Sequence, residues 1–299
     1  NTLRLAKGWP AKDLATVGTL KLEGSARQML LDGDKVMVFS AISSSGGSFC
    51  PGCSYLRNGI TKITTVDVSD MSAPKVLREH FLPGSYKAAR RVGASVRVVL
   101  RDNINWPSGI KWYPTYQPGQ NWKDQSWREE AYRDLIGQNH RLIRKQALNS
   151  WLPRGYVKEK GGSKKDYDYS CSDFYRPSAS VEMGLVTVLS LDMSRPHAAP
   201  GRTSILGKVD MIYANKPSLY LANRHWWRTA NRPTDARDHT YLHKLDITDI
   251  KQAKYVASGG VEGSLLNQFA MDEHKGYLCL ATTRNEVVSK TNSGWARTE

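Results

Sequence analysis

The chain lacks a long apolar run. Its longest, from Gly184 to Leu191, is interrupted by Thr187 and Ser190, so it reads as a strand and not as a membrane-spanning helix. It is poor in helix signals, with one convincing helical stretch, and offers no βαβ context. Cysteine is scarce, four in 299 residues. There is no Gly-x-Ser-x-Gly elbow, which leaves Ser/His/Asp catalysis without support. There is no phosphate loop either: Ser44 to Gly47 is Ser/Gly-rich but has no Lys-Ser/Thr or helix behind it. Acidic residues are outnumbered by basic ones, 28 to 43, a net charge of +15. Such a balance favours polyanions in principle. Its distribution argues otherwise. Residues 101–180 carry 14 Lys/Arg and 9 Asp/Glu, and the only basic clusters, Arg141 to Lys145 and Lys158 to Lys165, match no nucleic-acid motif. We read the charge as a solvated surface. The first residue is Asn1 and no signal peptide precedes it, so a processed chain or a fragment is expected.

What is present is a repeated phrase. Residues 244–281 hold a strand ending in an Asp turn (Leu245 to Asp249), a strand from Lys254, Gly263, a strand over Leu265 to Met271, a charged turn, and a strand over Tyr277 to Ala281. Thr65 to Asp70 opens a second copy, which passes Gly84 and ends in Val96 to Leu100. Leu191 to Ser194 opens a third, which passes Gly207 and ends in Leu219 to Ala222. The Asp-to-glycine spacings are 17, 15 and 17 residues. Thr19 to Leu22, Gly24 and Val36 to Phe39 read as a copy without its opening strand, behind an irregular basic lead-in at 1–13. A recurring four-strand unit predicts an all-β fold, a β-propeller of four-stranded antiparallel blades. Two to three full copies with part-copies at both ends predict a partial ring within 1–299.

The repeat is interrupted at 101–180 by a helical, Trp-rich insertion. Its helix is predicted from Ser126, as cap, to Trp151. Tyr132, Leu135, Ile136, Leu142, Ile143 and Ala147 share one face, Gly137 lies inside, and Pro153 stops it. Two further loops stand out, Ser/Gly-rich 41–60 with Cys50-Pro51-Gly52-Cys53, and basic 224–238.

Several of these pieces resemble a known family: KITTVDVSDMSAPKVL (62–77), GSYKAARRVG (84–93), SWLPRGY (150–156), SCSDFYRP (170–177), LVTVLSLDM (185–193) and, most specific, KYVASGGVEGSLLNQFAMDEHKGYLCLATT (254–283). The chain is similar over nearly its whole length to the secreted bacterial and archaeal β-propeller domain family, distantly related to WD-type repeats. The resemblance implies a secreted, periplasmic or cell-surface protein and further blades beyond this sequence. It supplies no catalytic residues. Cys171 matches a position where the family often has cysteine.

Candidate chemistry is sparse. The CxxC of Cys50 and Cys53 suits a disulfide, half a zinc site or a redox pair. With no second close pair and no βαβ unit, we favour a local disulfide, or one from Cys50 or Cys53 to Cys171, in an oxidising compartment. Cys279 alternates with apolar neighbours and is expected to be buried. His239 and His243, four apart on a strand, share a face, but a metal site wants a third ligand. Asp67/Asp70 and Asp246/Asp249 have the chemistry for calcium, but Asp capping of tight turns accounts for their repetition. No cofactor is expected. Trp106, Trp112, Trp122, Arg224, Trp226, Trp227 and Arg228 are the candidate partner-binding residues, since aromatic and Arg side chains dominate interface energetics. The expected function is an extracytoplasmic protein-interaction or assembly scaffold, partnered by another protein or by the remaining blades. The alternatives are a hydrolase-type enzyme on the channel face, and an anionic glycan or nucleic-acid binder through Arg224, Arg228, Arg232 and the adjacent tryptophans.

Overall fold

The computed structural model describes residues 1–299 except 43–58, 105, 117–118, 120, 148–149, 153, 160–161, 169, 179–181, 226–238, 287–296 and 299. It comprises two units, Asn1–Asn103 with Arg154–Glu299, and Ile104–Pro153.

The first unit is a succession of antiparallel sheets. β1 (Thr2–Lys7) pairs with β2 (Ala15–Lys21). The expected irregular lead-in is therefore largely a strand: Leu3 and Leu5 alternate with polar residues and pack with Leu20 and Leu22 on the next sheet. That second sheet runs β3 (Ser25–Asp32), β4 (Lys35–Ile42), β5 (Ile60–Asp67), β6 (Lys75–Pro83), in spatial order as in sequence. The third begins with β7 (Ser85–Val92) and β8 (Ser95–Asp102). The chain then passes through the second unit, which holds α1 (Gln125–Arg144). It returns as β9 (Tyr156–Glu159) and β10 (Lys164–Asp166), which extend the second sheet beyond β6. β11 (Phe174–Tyr175) follows, then β12 (Leu185–Asp192) and β13 (Gly201–Leu206), which complete the third sheet with β11 parallel to β13. The fourth is β14 (Met211–Ala214), β15 (Ser218–His225), β16 (His239–Asp246), β17 (Lys254–Glu262). Then β18 (Ser264–Leu265) pairs with β21 (Thr282–Thr283), and β19 (Met271–His274) with β20 (Tyr277–Leu280). The strand expected over 265–271 is broken by a 3-10 turn at Gln268–Ala270, where the Asn267 side chain accepts the Phe269 N–H at 2.9 Å.

The second, third and fourth sheets bury both faces against their neighbours, which is why their central strands are apolar on alternate and on adjacent positions. β4 sends Val36 and Val38 to the cluster with Leu3, and Met37 and Phe39 to the cluster with Ala89, Val96 and Val98. Val99, Val186 and Val188 of the third sheet meet Ile212, Leu219, Leu221 and Leu245 of the fourth, and Ala222 and Leu242 pack on Leu265 and Met271. β20 follows the same alternation: Leu278 and Leu280 join the core, so Cys279 is exposed and not buried as expected.

The repeated Asp and Gly mark recurrent backbone demands. Asp67, Asp192 and Asp246 end the third strand of their sheets, and Oδ1 of each accepts the N–H two residues on, at 2.9, 2.9 and 2.8 Å. The next residue, Val68, Met193 or Ile247, donates its N–H to the first hairpin of the sheet, to Asp34, Ala94 or Pro217 O. Gly84 follows a fourth strand with φ +103°, and a Cβ there would lie 2.8 Å from the Arg101 carbonyl of the next sheet, so only glycine fits. Arg97, 2% exposed, ties the third sheet to the fourth. It donates to the carbonyls of Ile247 (3.2 Å), Asp249 and Ile250 (3.1 Å). Arg78 of the second sheet likewise donates to Pro196 and Ala198 O of the third, at 3.0 and 2.6 Å.

Candidate interaction surface

Three segments singled out in the sequence occupy one topological position. Residues 43–58, the second unit and residues 226–238 lie between the second and third strands of the second, third and fourth sheets respectively. The strands that flank these segments in sequence have those ends at the side of the sheets marked by Gly84, whose N–H donates to Gly59 O (3.0 Å), and by Gly207, whose N–H donates to Gly184 O (2.9 Å). The Asp turns lie at the opposite end. Sequence length and composition vary at one end of the sheets, while the other end repeats.

The second unit carries the aromatic residues. α1 begins at Asp124, whose Oδ1 accepts the N–H of Ser126 at 3.0 Å and of Trp127 at 3.4 Å. The cap is therefore Asp124, two residues before the expected Ser126, whose own hydroxyl donates to the same oxygen at 2.7 Å. The Ser126 and Trp127 donors and the nearby Arg128 charge lower the carboxyl of Asp124. The helix stops at Arg144, about two turns before the expected end. Leu135 is buried and Tyr132, Leu142 and Ile143 are half-buried, as the periodicity requires, but Ile136 is 53% exposed.

Trp106 lies edge-on to Trp112, with ring centroids 4.9 Å apart, and to Trp151 at 5.9 Å. Trp122 makes the same kind of contact with Trp127 (5.5 Å) and Tyr132 (6.4 Å). These contacts hold the rings in place without covering them. Trp112 is 61%, Tyr113 72%, Tyr116 54% and Trp122 41% exposed. An open concavity of about 700 Å³ runs along α1, lined by Trp122, Tyr132, Ile136, Arg128, Arg133, Gln125 and Glu129. The structure thus brings Trp106 together with Trp112, and gives Trp122 a separate aromatic setting. Tyr113, Tyr116 and Trp127 were missed as candidates, although the density of Trp and Tyr over 106–132 signals them.

The remaining predicted residues fall elsewhere. Arg224 ends β15. Trp226, Trp227, Arg228 and Arg232 lie outside the described residues, as do Cys50 and Cys53. Cys171 opens an exposed 3-10 turn and is a free thiol. His239 and His243 both lie on β16, but His243 is buried, with Nδ1 3.0 Å from the Tyr255 hydroxyl, and burial lowers its pKa. Among the described residues no three His, Cys, Asp or Glu converge as a metal site. Asp67 and Asp246 use Oδ1 as turn acceptors. The Ser69 backbone N–H and hydroxyl, with Lys35, hold Asp67 at about 2.

A family model described as a β-propeller domain matches residues 1–298. The chain belongs to the β-propeller domain family. No curated protein matches it. The second, third and fourth sheets are then complete blades, and the family fold is a general binding scaffold. Among the described residues no helix is long and apolar enough to cross a membrane.

Proposed function

We propose that this β-propeller chain is a protein-interaction scaffold whose principal contact surface is the aromatic face of residues 104–153. The observation that carries the reading is the concavity along α1, where Trp122 and Tyr132 stand with Arg128 and Arg133 around a partly apolar hollow. Trp, Tyr and Arg are the residues that dominate interface energetics, and clusters of exposed aromatics of this kind mark docking surfaces. Propeller blades provide a rigid base, and the second unit is set into the connection between two strands of one blade, where it can diverge at little cost to the core. The reading extends to an extracytoplasmic setting, which the sequence resemblance and the CxxC pair support. A gain of about 2 Da per bridge on reducing the intact protein tests that part.

The contact surface is tested by comparing proteins retained from native extract by the full chain and by a Trp112→Ala/Tyr113→Ala/Trp122→Ala variant of equal melting temperature. The account expects a defined partner retained by the first and lost from the second. Equal retention by both, or none by the parent chain, would refute it.

A further inference from the structure

At the end of the sheets marked by Gly84 and Gly207, where the third and fourth blades meet β18, lies a cavity of about 330 Å³. That is within the range of small-molecule sites. Its cations come from separate elements: Arg101 from the end of β8, Lys208 from the link between β13 and β14, and Arg224 from the end of β15. Two carboxylates, Glu182 and Asp210, stand with them, so the lining carries one net positive charge. Both carboxylates have local work. Glu182 pairs with Lys208 at 3.0 Å, and Asp210 accepts the backbone N–H of Arg224 at 3.2 Å. Arg101 is different. It is half-buried, and among the described residues its guanidinium has neither an ion pair nor a hydrogen bond. A half-buried guanidinium with no protein acceptor leaves its fork free to take a planar anion. Met211 and Leu265 give the cavity an apolar side.

We propose that this cavity binds an organic monocarboxylate with an apolar body, its carboxylate on Arg101 and its body against Met211 and Leu265. The guanidinium fork matches a carboxylate bidentately. One net positive charge is neutralised by a monoanion. A dianion such as phosphate would gain the same fork but face Glu182 and Asp210. The ligand site is independent of the protein-docking surface on the second unit.

The test is calorimetric titration of the full chain with isocaproate, acetate and inorganic phosphate. Isocaproate binds at one saturable site, at least about tenfold tighter than acetate or phosphate. Arg101→Gln weakens it by at least about tenfold, the loss of a bidentate charged contact. Lys87→Gln, an exposed residue of β7 outside the cavity, leaves it unchanged. Where Arg101→Gln alters folding, Met211→Glu serves instead: it sets a carboxylate against the ligand body and abolishes binding. Absence of saturable isocaproate binding, phosphate binding tighter than isocaproate, or unchanged affinity in the folded Arg101→Gln or Met211→Glu protein would overturn the proposal.

Discussion

Replacing Arg97 by Met removes the guanidinium that joins the third blade to the fourth. The side chain is 2% exposed and gives hydrogen bonds to three backbone carbonyls of the Ile247 to Ile250 turn. A hydrogen bond from a charged donor contributes about 1.5–3 kcal/mol, and the desolvation of the guanidinium offsets part of the sum. Met fills much of the volume but leaves the carbonyls without their donor. A buried acceptor left without its donor costs about 1–3 kcal/mol, so three orphaned carbonyls, less the guanidinium desolvation that is recovered, give an expected loss of about 3–5 kcal/mol for Arg97→Met. On a total of about 5–15 kcal/mol this is a large share. It corresponds to a fall in Tm of roughly 6–20 °C. Arg91→Met is the internal comparison. Arg91 pairs with Asp32 at 2.7 Å, but both side chains are about one-third exposed, 34% and 33%. That pair should contribute under about 1 kcal/mol. Urea unfolding of the parent and both variants measures the difference. A loss for Arg97→Met below about 1 kcal/mol, or no larger than for Arg91→Met, would refute the claim that this guanidinium fastens the blades.

Three further outcomes are expected. His80 is 1% exposed and stands beside Arg78 and the Tyr167 hydroxyl; burial first, and the Arg78 charge second, lower its pKa to about 3. Its folded value lies below the unfolded one, so its neutral form supports the fold above about pH 6.5 and that support is lost as pH falls towards 3, with a slope of up to about 1.4 kcal/mol per pH unit. His80→Gln should flatten that part of an acid-unfolding curve, and an unchanged slope would show that His80 does not govern it. Gly84→Ala places a Cβ 2.8 Å from the Arg101 carbonyl at a φ of +103° and should cost about 1–3 kcal/mol or more, whereas Gly33→Ala meets nothing within 4 Å at φ +53° and should cost about 1–2 kcal/mol at most. Equal losses in urea unfolding would contradict that ranking. Asp67→Ala should cost about 1 kcal/mol by removing the acceptor of the Ser69 N–H, and Asp67→Asn, which keeps an oxygen there, less.

The blade repeat was legible because two local backbone demands select particular residue types. A turn that needs a side-chain acceptor two residues upstream selects Asp67, Asp192 and Asp246, and a positive φ against a neighbouring carbonyl selects Gly84 and Gly263. Alternation marked the central strands for the same kind of reason. Thr2–Lys7 was missed because only two leucines carry its pattern, and they become meaningful only beside Leu20 and Leu22. Cys279 was misplaced because alternation gives two faces without saying which one packs. Asp124 and Ser126 are both good caps and two residues apart, so geometry had to choose between them. The aromatic surface was legible as a density of Trp and Tyr, but not its division into a Trp106–Trp112 contact and a Trp122 concavity. The anion cavity was not legible at all, since its charged residues come from separate elements between Arg101 and Arg224 that meet only when two blades pack.

The most direct test of the interaction surface is hydrogen exchange, read by mass spectrometry, on the full chain alone and with its captured partner. The account predicts slowed exchange in peptides carrying Trp112, Trp122 and Tyr132, and unchanged exchange at the Asp turns around Asp67, Asp192 and Asp246. Slowed exchange at those turns, with peptides of the second unit unaffected, would contradict it.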